Sequence, residues 1–241
     1  MTAPTVLPPP SSPDASPFAE PGTSAGEKTR AALLRSALDL FGRKGYDATS
    51  TRDIAGAAGV NIAGIAYHFG GKAGLHRACA EAVAAFIAER LGELAVTDSA
   101  ADERLDADAA AAIFEELFAA IARFMLARPE AESIARFMVR EQMDPSPTFE
   151  VLYEALIRPR HERMCRLWAR ATGDEPTSER VVITVSALFG QIMFFRVGRA
   201  TALRRLGWAT IDTDNVETIV VRILVAIRAT LAASRREAVA S

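Results

Sequence analysis

The sequence predicts an all-α protein built in two parts. From Glu27 onward no convincing period-2 apolar run bounded by turn residues occurs, and apolar residues recur instead at 3.6-residue spacing. Charge is divided unevenly: residues 28–77 hold eight basic and three acidic side chains, while residues 78–241 hold 20 basic and 24 acidic. A small basic part on a larger, mildly acidic one suits a polyanionic partner at one end only. With 241 residues and 50% hydrophobic content, the chain has material for two cores of moderate size without cross-links.

Residues 1–26 contain seven of the twelve prolines and no Lys, Arg, Ile or Trp. They bury too little surface to offset their ordering entropy, which predicts a disordered arm. A first helix over 26–44 places Leu33, Leu34, Ala37, Leu38 and Phe41 on one stripe, and Gly45 stands where a left-handed cap is wanted. Ser50 or Thr51 caps a second, short helix carrying Ile54, Ala55 and Ala58. Gly59 turns the chain, Val60 plugs the core, and Asn61 caps a third helix whose Ile62, Ile65, Ala66 and Phe69 face inward at least in part. The sum is helix, tight turn, helix within about twenty residues. Further helices are expected over 71–96, 105–127, 130–142, 147–172, 177–197 and 213–235, with breaks at Asp98–Asp102, Asp144–Pro147 and Thr172–Pro176. The domain reading is an arm over 1–26, a small domain over 27–72 and a large one over 73–241.

Several function classes receive no support. Cys79 and Cys165 stand alone, without a CxxC pair or a His/Cys cluster at ligand spacing, so neither a disulfide framework nor a metal site is indicated and a reducing compartment fits. The N-terminus has no basic start followed by an apolar run. The apolar stretch Val181–Phe195 is interrupted by Thr184, Ser186 and Gln191, too short and too polar for a membrane span, and reads as a buried helix. Gly70-Gly71-Lys72 lacks the flanking residues of a phosphate-binding loop, and His68, His76 and His161 are scattered, which leaves an enzyme with little support. No cofactor is expected, and the location is cytoplasmic.

The stretch Thr49 to Lys72, with Ile54-Ala55-Gly56-Ala57-Ala58-Gly59-Val60 at the turn and Tyr67-His68-Phe69 at its end, resembles the N-terminal domain of the TetR family of regulators. The preceding Leu40-Phe41-Gly42-Arg43-Lys44-Gly45-Tyr46 extends the match to about 28–77. The resemblance implies a three-helix DNA-binding domain with a helix-turn-helix, Thr51 and Arg52 near phosphate, Asn61, Ile62, Ala63 and Gly64 at the major groove, and Tyr67, His68 and Lys72 on the backbone. Elementary physics agrees. Small residues at Ala63 and Gly64 permit close approach to a groove floor, while a helix start carrying Thr51 and Arg52 favours an anion. Ile65 weighs toward core, whereas Ile62 divides evenly between core and groove. Two positions depart from the family pattern: Ala66 stands where the family often has a phosphate-touching tyrosine, and Gly70-Gly71 replaces a more helical linker.

Downstream, Phe137 to Phe149, Gly190 to Arg196 and Leu206-Gly207-Trp208 resemble the C-terminal domain of the CecR-type branch of that family. The resemblance implies a helical domain for effector binding and dimerisation. Leu188, Phe189, Ile192 and Phe195, with Ile219, Ile223, Ile227 and Leu231 of the last helix, are the candidates for the dimer contact, because a helix apolar all round needs cover all round. Phe114, Phe118, Phe137, Phe149, Trp168 and Met193 are candidates for an apolar effector cavity, each competing with a plain core role. Arg140, Glu141 and Arg196 are its polar anchors, unless Arg140 and Glu141 pair with each other or with Arg158. The expected protein is a ligand-responsive regulator, a repressor binding palindromic double-stranded DNA as a homodimer and released by a small molecule of unidentified chemistry. A helical interaction module that has lost DNA binding is the alternative.

Overall fold

A computed structural model describes residues 24–91, 99–127 and 130–240. Residues 1–23 of the arm expected over 1–26, and residues 92–96 of the helix expected over 71–96, lie outside the described residues. All regular structure among the described residues is helical.

Helix α1 (Ala25–Lys44) starts inside the stretch read as arm, because Ser24 and Glu27 form a capping box. Ser24 Oγ accepts from the Glu27 amide at 3.3 Å, and the Glu27 carboxylate accepts from the Ser24 amide at 3.4 Å. The stripe Leu33, Leu34, Ala37, Leu38 and Phe41 is buried as the periodicity predicts. Gly45 has positive φ but extended ψ (84° and 170°), so it ends the helix without the expected left-handed cap. In that conformation its carbonyl accepts the Thr49 hydroxyl at 2.7 Å. Helix α2 (Thr51–Ala58) is capped by Ser50, whose Oγ accepts from the Asp53 amide at 3.0 Å, and Gly59 closes it in the left-handed conformation. Helices α3 (Ala63–Phe69) and α4 (Lys72–Leu91) follow, separated by Gly70 and Gly71, both at positive φ.

The core of this head is not self-contained. Leu38, Phe41, Ile54, Ile65, Leu75 and Cys79 form one cluster with Ile134, Phe137, Leu152 and Leu156 from beyond residue 73. Helix α1 rides on α7 (Glu130–Met143) at Gly42, where an added Cβ would meet the Phe137 amide nitrogen at 3.0 Å and Arg136 Cβ at 3.2 Å. The absence of a side chain there permits the close crossing.

The second core lies among α6 (Ala107–Ala127), α9 (Arg158–Thr172), α10 (Glu179–Val197) and α12 (Thr213–Ala240). Two short helices went unread. Helix α5 (Ser99–Glu103) occupies the expected break at Asp98–Asp102, held by a buried ion pair from Arg163 Nε to Asp102 Oδ2 at 3.2 Å. Helix α11 (Arg199–Leu206) follows α10 after Gly198. The single helix expected over 147–172 is found as a continuous helical stretch over 149–172, in which a π turn (Tyr153–Ile157) separates α8 (Phe149–Leu152) from α9. Pro159 explains the π turn: it lacks an amide donor, and its ring crowds the carbonyl four residues back. The guanidinium of Arg160 folds back onto this turn, donating to Leu156 O at 3.0 Å and to Ala155 O at 3.5 Å.

Helix α10 departs from its expected burial. Its apolar window has mean hydropathy 1.5, long and apolar enough by composition to cross a membrane, yet only 22% of it is buried. Val181, Val185, Leu188 and Ile192 point into the subunit, while Ile183, Phe194 and Val197 are 58%, 52% and 64% exposed. The dimer candidates need a matching correction. Leu188, Ile192, Ile219, Ile223, Ile227 and Leu231 are buried in the subunit's own core, and Phe189 and Phe195 pack half-buried against it. The apolar faces left outside belong to Ile183, Ala187, Gly190, Phe194 and Val197 on α10 and to Val221 and Val225 on α12.

Candidate nucleic-acid interface and effector cavity

The outer face of the head is set by Ile65, the one α3 residue buried among the described residues. With Ile65 anchored, Ile62, Ala63, Ala66 and Tyr67 turn outward; Ile62 is 47% exposed and Tyr67 85%. Asn61 is exposed and stands one residue before the N-cap position, which is Ile62 rather than Asn61 as expected; its Oδ1 accepts from the Ala63 amide at 2.9 Å. Gly64 does not join this face. An added Cβ would stand in ordinary contact with Leu33 and Thr29 of α1 at 3.6 and 3.7 Å, so the position faces α1 rather than outward. His68 is half-buried, with its ring edge-on to Tyr67 at 4.9 Å between centroids.

At the start of α2, Thr51 is half-buried and Arg52 exposed. Hydrogen bonding from Ser50 first, then the nearby Lys44 charge, holds the Asp53 carboxyl below its usual range. The Lys44–Asp53 ion pair spans 3.4 Å and ties α1 to α2. Lys72 is half-buried, its Nζ 4.3 Å from the Tyr46 ring centroid and donating to Asp47 O at 3.4 Å. It therefore fixes the α1–α2 connection to the start of α4. After the two glycines α4 begins directly at Lys72.

The nine residues expected to line one effector cavity do not come together. Phe114, Phe118 and Trp168 are core, with Phe114 5.2 Å from Trp168 and 5.9 Å from Phe118 between ring centroids. Phe137 is buried in the head's cluster against His76, Phe149 stacks on Tyr153, and Met193 is half-buried. Glu141 lies 3.3 Å from His76 Nε2 and accepts from Ser146 Oγ at 2.7 Å, while His76 Nδ1 meets Thr148 Oγ1 at 2.9 Å. Burial pushes the Glu141 carboxyl up, but the His76 and Ser146 contacts outweigh it and leave it below its ordinary value. Neither Arg140 nor Glu141 pairs with Arg158, which reaches Glu154. Arg140 and Arg196 share a cavity of about 580 Å³ beside the α1–α7 crossing, and the other seven are not in its described lining.

A model of the tetR family of bacterial regulatory proteins matches residues 33–79, and one described as the C-terminal domain of the HTH-type transcriptional dual regulator CecR matches residues 110–234. The HTH-type transcriptional dual regulator CecR of Shigella flexneri is 36% identical over 200 residues, covering 82% of this chain and 88% of that protein. The chain belongs to the TetR family, in its CecR-type branch. The HTH-type transcriptional regulatory protein RaaS of Mycobacterium tuberculosis is 43% identical over 61 residues, 25% of this chain and 28% of that one. Among solved structures, HlyIIR, a hemolysin II transcriptional regulator, superposes with TM-score 0.53 at 20% identity, covering 82% of this chain and 98% of that one. AibR in complex with isovaleryl coenzyme A and operator DNA superposes with TM-score 0.58 at 14% identity, covering 81% and 96%. These two likenesses speak to the fold alone.

This TetR-family chain also carries site residues that sequence reasoning did not single out. Arg136 and Arg199 join Arg140 and Arg196 around the cavity. The spacing of Glu132, Arg136 and Arg140 at i, i+4, i+8 was a usable signal for one charged face of α7. Ala66 lies on the exposed face beside Tyr67, so the family tyrosine absent at position 66 has an outward neighbour at 67. Both thiols of the regulator are buried, and burial pushes Cys165 up to about 11, which leaves it protonated near neutral pH.

Proposed function

We propose that the regulator is a one-component repressor that binds a palindromic operator as a homodimer and is released by a small molecule in its larger domain. The observation that carries the reading is the outward face of α3, where Ile62, Ala63, Ala66 and Tyr67 stand free while Ile65 anchors the helix from behind. Small side chains at the centre of that face let the helix sink into a major groove, and Tyr67 is exposed enough to reach a phosphate. Arg52 at the N-terminus of α2 adds a guanidinium where the helix dipole already favours an anion.

A second copy is the natural cover for α10 and α12. Their exposed apolar positions flank small residues at Ala187, Gly190 and Ala229, which allow helices to approach closely, and an added Cβ at Gly190 would meet nothing within 4 Å. Two heads about 34 Å apart would then address successive major grooves of one duplex. An effector that favours a different head spacing lowers operator affinity by its differential affinity for the two states. AibR, which shares the fold, was crystallised with isovaleryl coenzyme A and operator DNA, and that precedent supports a duplex and a small molecule as the two ligands.

Gel-shift titration of the purified chain with palindromic promoter fragments tests the proposal. A discrete complex at low salt is expected, and failure to shift any fragment at low salt ends the reading.

A further inference from the structure

We propose that the cavity beside the α1–α7 crossing binds a small molecule with an anionic headgroup on an apolar body, and that this occupant is the signal read by the head. The inference rests on the regulator reading above and names the ligand class and the lever.

At about 580 Å³ the cavity is within the range of small-molecule sites. Its described lining holds four arginines, Arg136, Arg140, Arg196 and Arg199, against one carboxylate, Glu132. Leu126, Val139, Met143 and Ile211 supply an apolar wall. The arginines are not equivalent. Arg136 is committed to the fold, with Glu132 on its own helix and Asp39 of α1 at 3.6 Å. Arg199 donates to the Thr210 hydroxyl at 3.2 Å and Arg140 to the Arg43 carbonyl at 3.5 Å, both neutral acceptors. Arg196 is half-buried, and its Nη2 is a buried donor without a hydrogen-bond partner among the described residues. A guanidinium has donors only, so what completes it is an acceptor, and a carboxylate or phosphate oxygen does so most strongly. Burial, the largest influence, pushes the Arg196 guanidinium below its ordinary value, yet a guanidinium stays charged under any working condition.

The lever follows from what else touches the cavity. Gly42 near the end of α1 lines it, and Arg140 reaches from it to the carbonyl of Arg43. An anion that recruits Arg140 withdraws it from α1, and an apolar body set against Gly42 presses on the crossing that the missing side chain made close. Helix α1 carries the core on which α2 and α3 are mounted. The two ligands are thereby coupled through one rigid element.

The test uses octyl phosphate and octanoate as anionic probes and octanol as the neutral control, with the full chain. Thermal unfolding and calorimetric titration read binding, and fluorescence anisotropy of a labelled operator fragment reads DNA affinity. Both anions should raise the melting temperature while octanol does not, and whichever binds tighter tells phosphate from carboxylate recognition. Arg196→Gln should weaken anion binding about tenfold or more. Saturating anion should weaken operator binding by about five- to 150-fold. Arg140→Gln is the second variant should Arg196→Gln melt at lower temperature without ligand. Binding of octanol as tight as that of the anions, no anion binding at millimolar concentration, or anion affinity untouched in both variants overturns the proposal. Absence of duplex binding by the ligand-free protein, with anion binding intact, instead defeats the regulator reading.

Discussion

Tyr67 gives the sharpest separation of a DNA contact from a packing role. Its side chain is 85% exposed, and its one ring contact among the described residues is the edge-on approach to His68. Substitutions at such positions change stability by about 0.5 kcal/mol at most. In a chain of this size that corresponds to a melting shift of about 2 °C or less. A hydroxyl donating to a phosphate oxygen is worth about 1.5 kcal/mol at the lower end of charged hydrogen bonds, the end appropriate to an exposed rim. Tyr67→Phe, which keeps the ring and removes only that hydroxyl, should therefore raise the operator Kd by about tenfold per half-site. Tyr67→Ala should weaken binding at least as much. Fluorescence anisotropy on an operator duplex measures the first quantity and differential scanning fluorimetry the second. An unchanged Kd in Tyr67→Phe, or a melting drop beyond about 5 °C, refutes the assignment by showing the ring to be structural.

Three further substitutions probe the rest of the account. Ala63→Leu places bulk on the outward face of α3 and should leave the melting temperature unchanged while weakening operator binding by about 1–3 kcal/mol; equal affinity in a gel shift would remove α3 from the groove. Gly42→Val forces a side chain into the Phe137 amide and Arg136, and a loss of about 1–3 kcal/mol in urea unfolding is expected; no loss would mean the α1–α7 crossing yields freely. The Glu141 carboxyl is held below its ordinary 4.5 by His76 and Ser146, so its contribution to stability is full above that value and lost as pH falls through the folded one. Glu141→Gln should remove that part of the acid dependence, and stability curves of wild type and variant that run parallel below pH about 4.5 contradict the buried contact.

The parts of the fold governed by local rules were legible in the sequence. Phe41, Ile54 and Ile65 lie inside because one apolar stripe on a short helix leaves a single way to bury it, and Ser50 and Gly59 mark the ends of α2 through capping chemistry. Where a helix is apolar on several faces, the rule loses its answer. Helices α10 and α12 both present two apolar faces, and periodicity assigned Ile219, Ile223 and Ile227 to a partner when they fill the subunit's own core. Gly64 shows a related ambiguity, since a small residue in the sequence does not say which way its position faces, and only the fold turns it toward Leu33 of α1. The cavity was half legible. Arg140 and Arg196 were readable as anchors, but the wall that joins them comes from α1, α6, α7, α10, α11 and the chain before α12, distant in sequence. Phe114, Phe118, Phe137 and Trp168, assigned to it, went to the core because large rings at helical spacing are first of all core material.

The central claim is that the compact head built on α1 presents α3 and the start of α2 to the phosphates of a duplex. A salt series of fluorescence anisotropy, using the ligand-free full chain and an operator duplex, tests it most directly. With about three phosphate contacts per head and two heads, log K should fall against log salt with a slope of about −5. A flat profile, with binding absent or indifferent to salt, would contradict the account and leave a helical module that recognises protein instead.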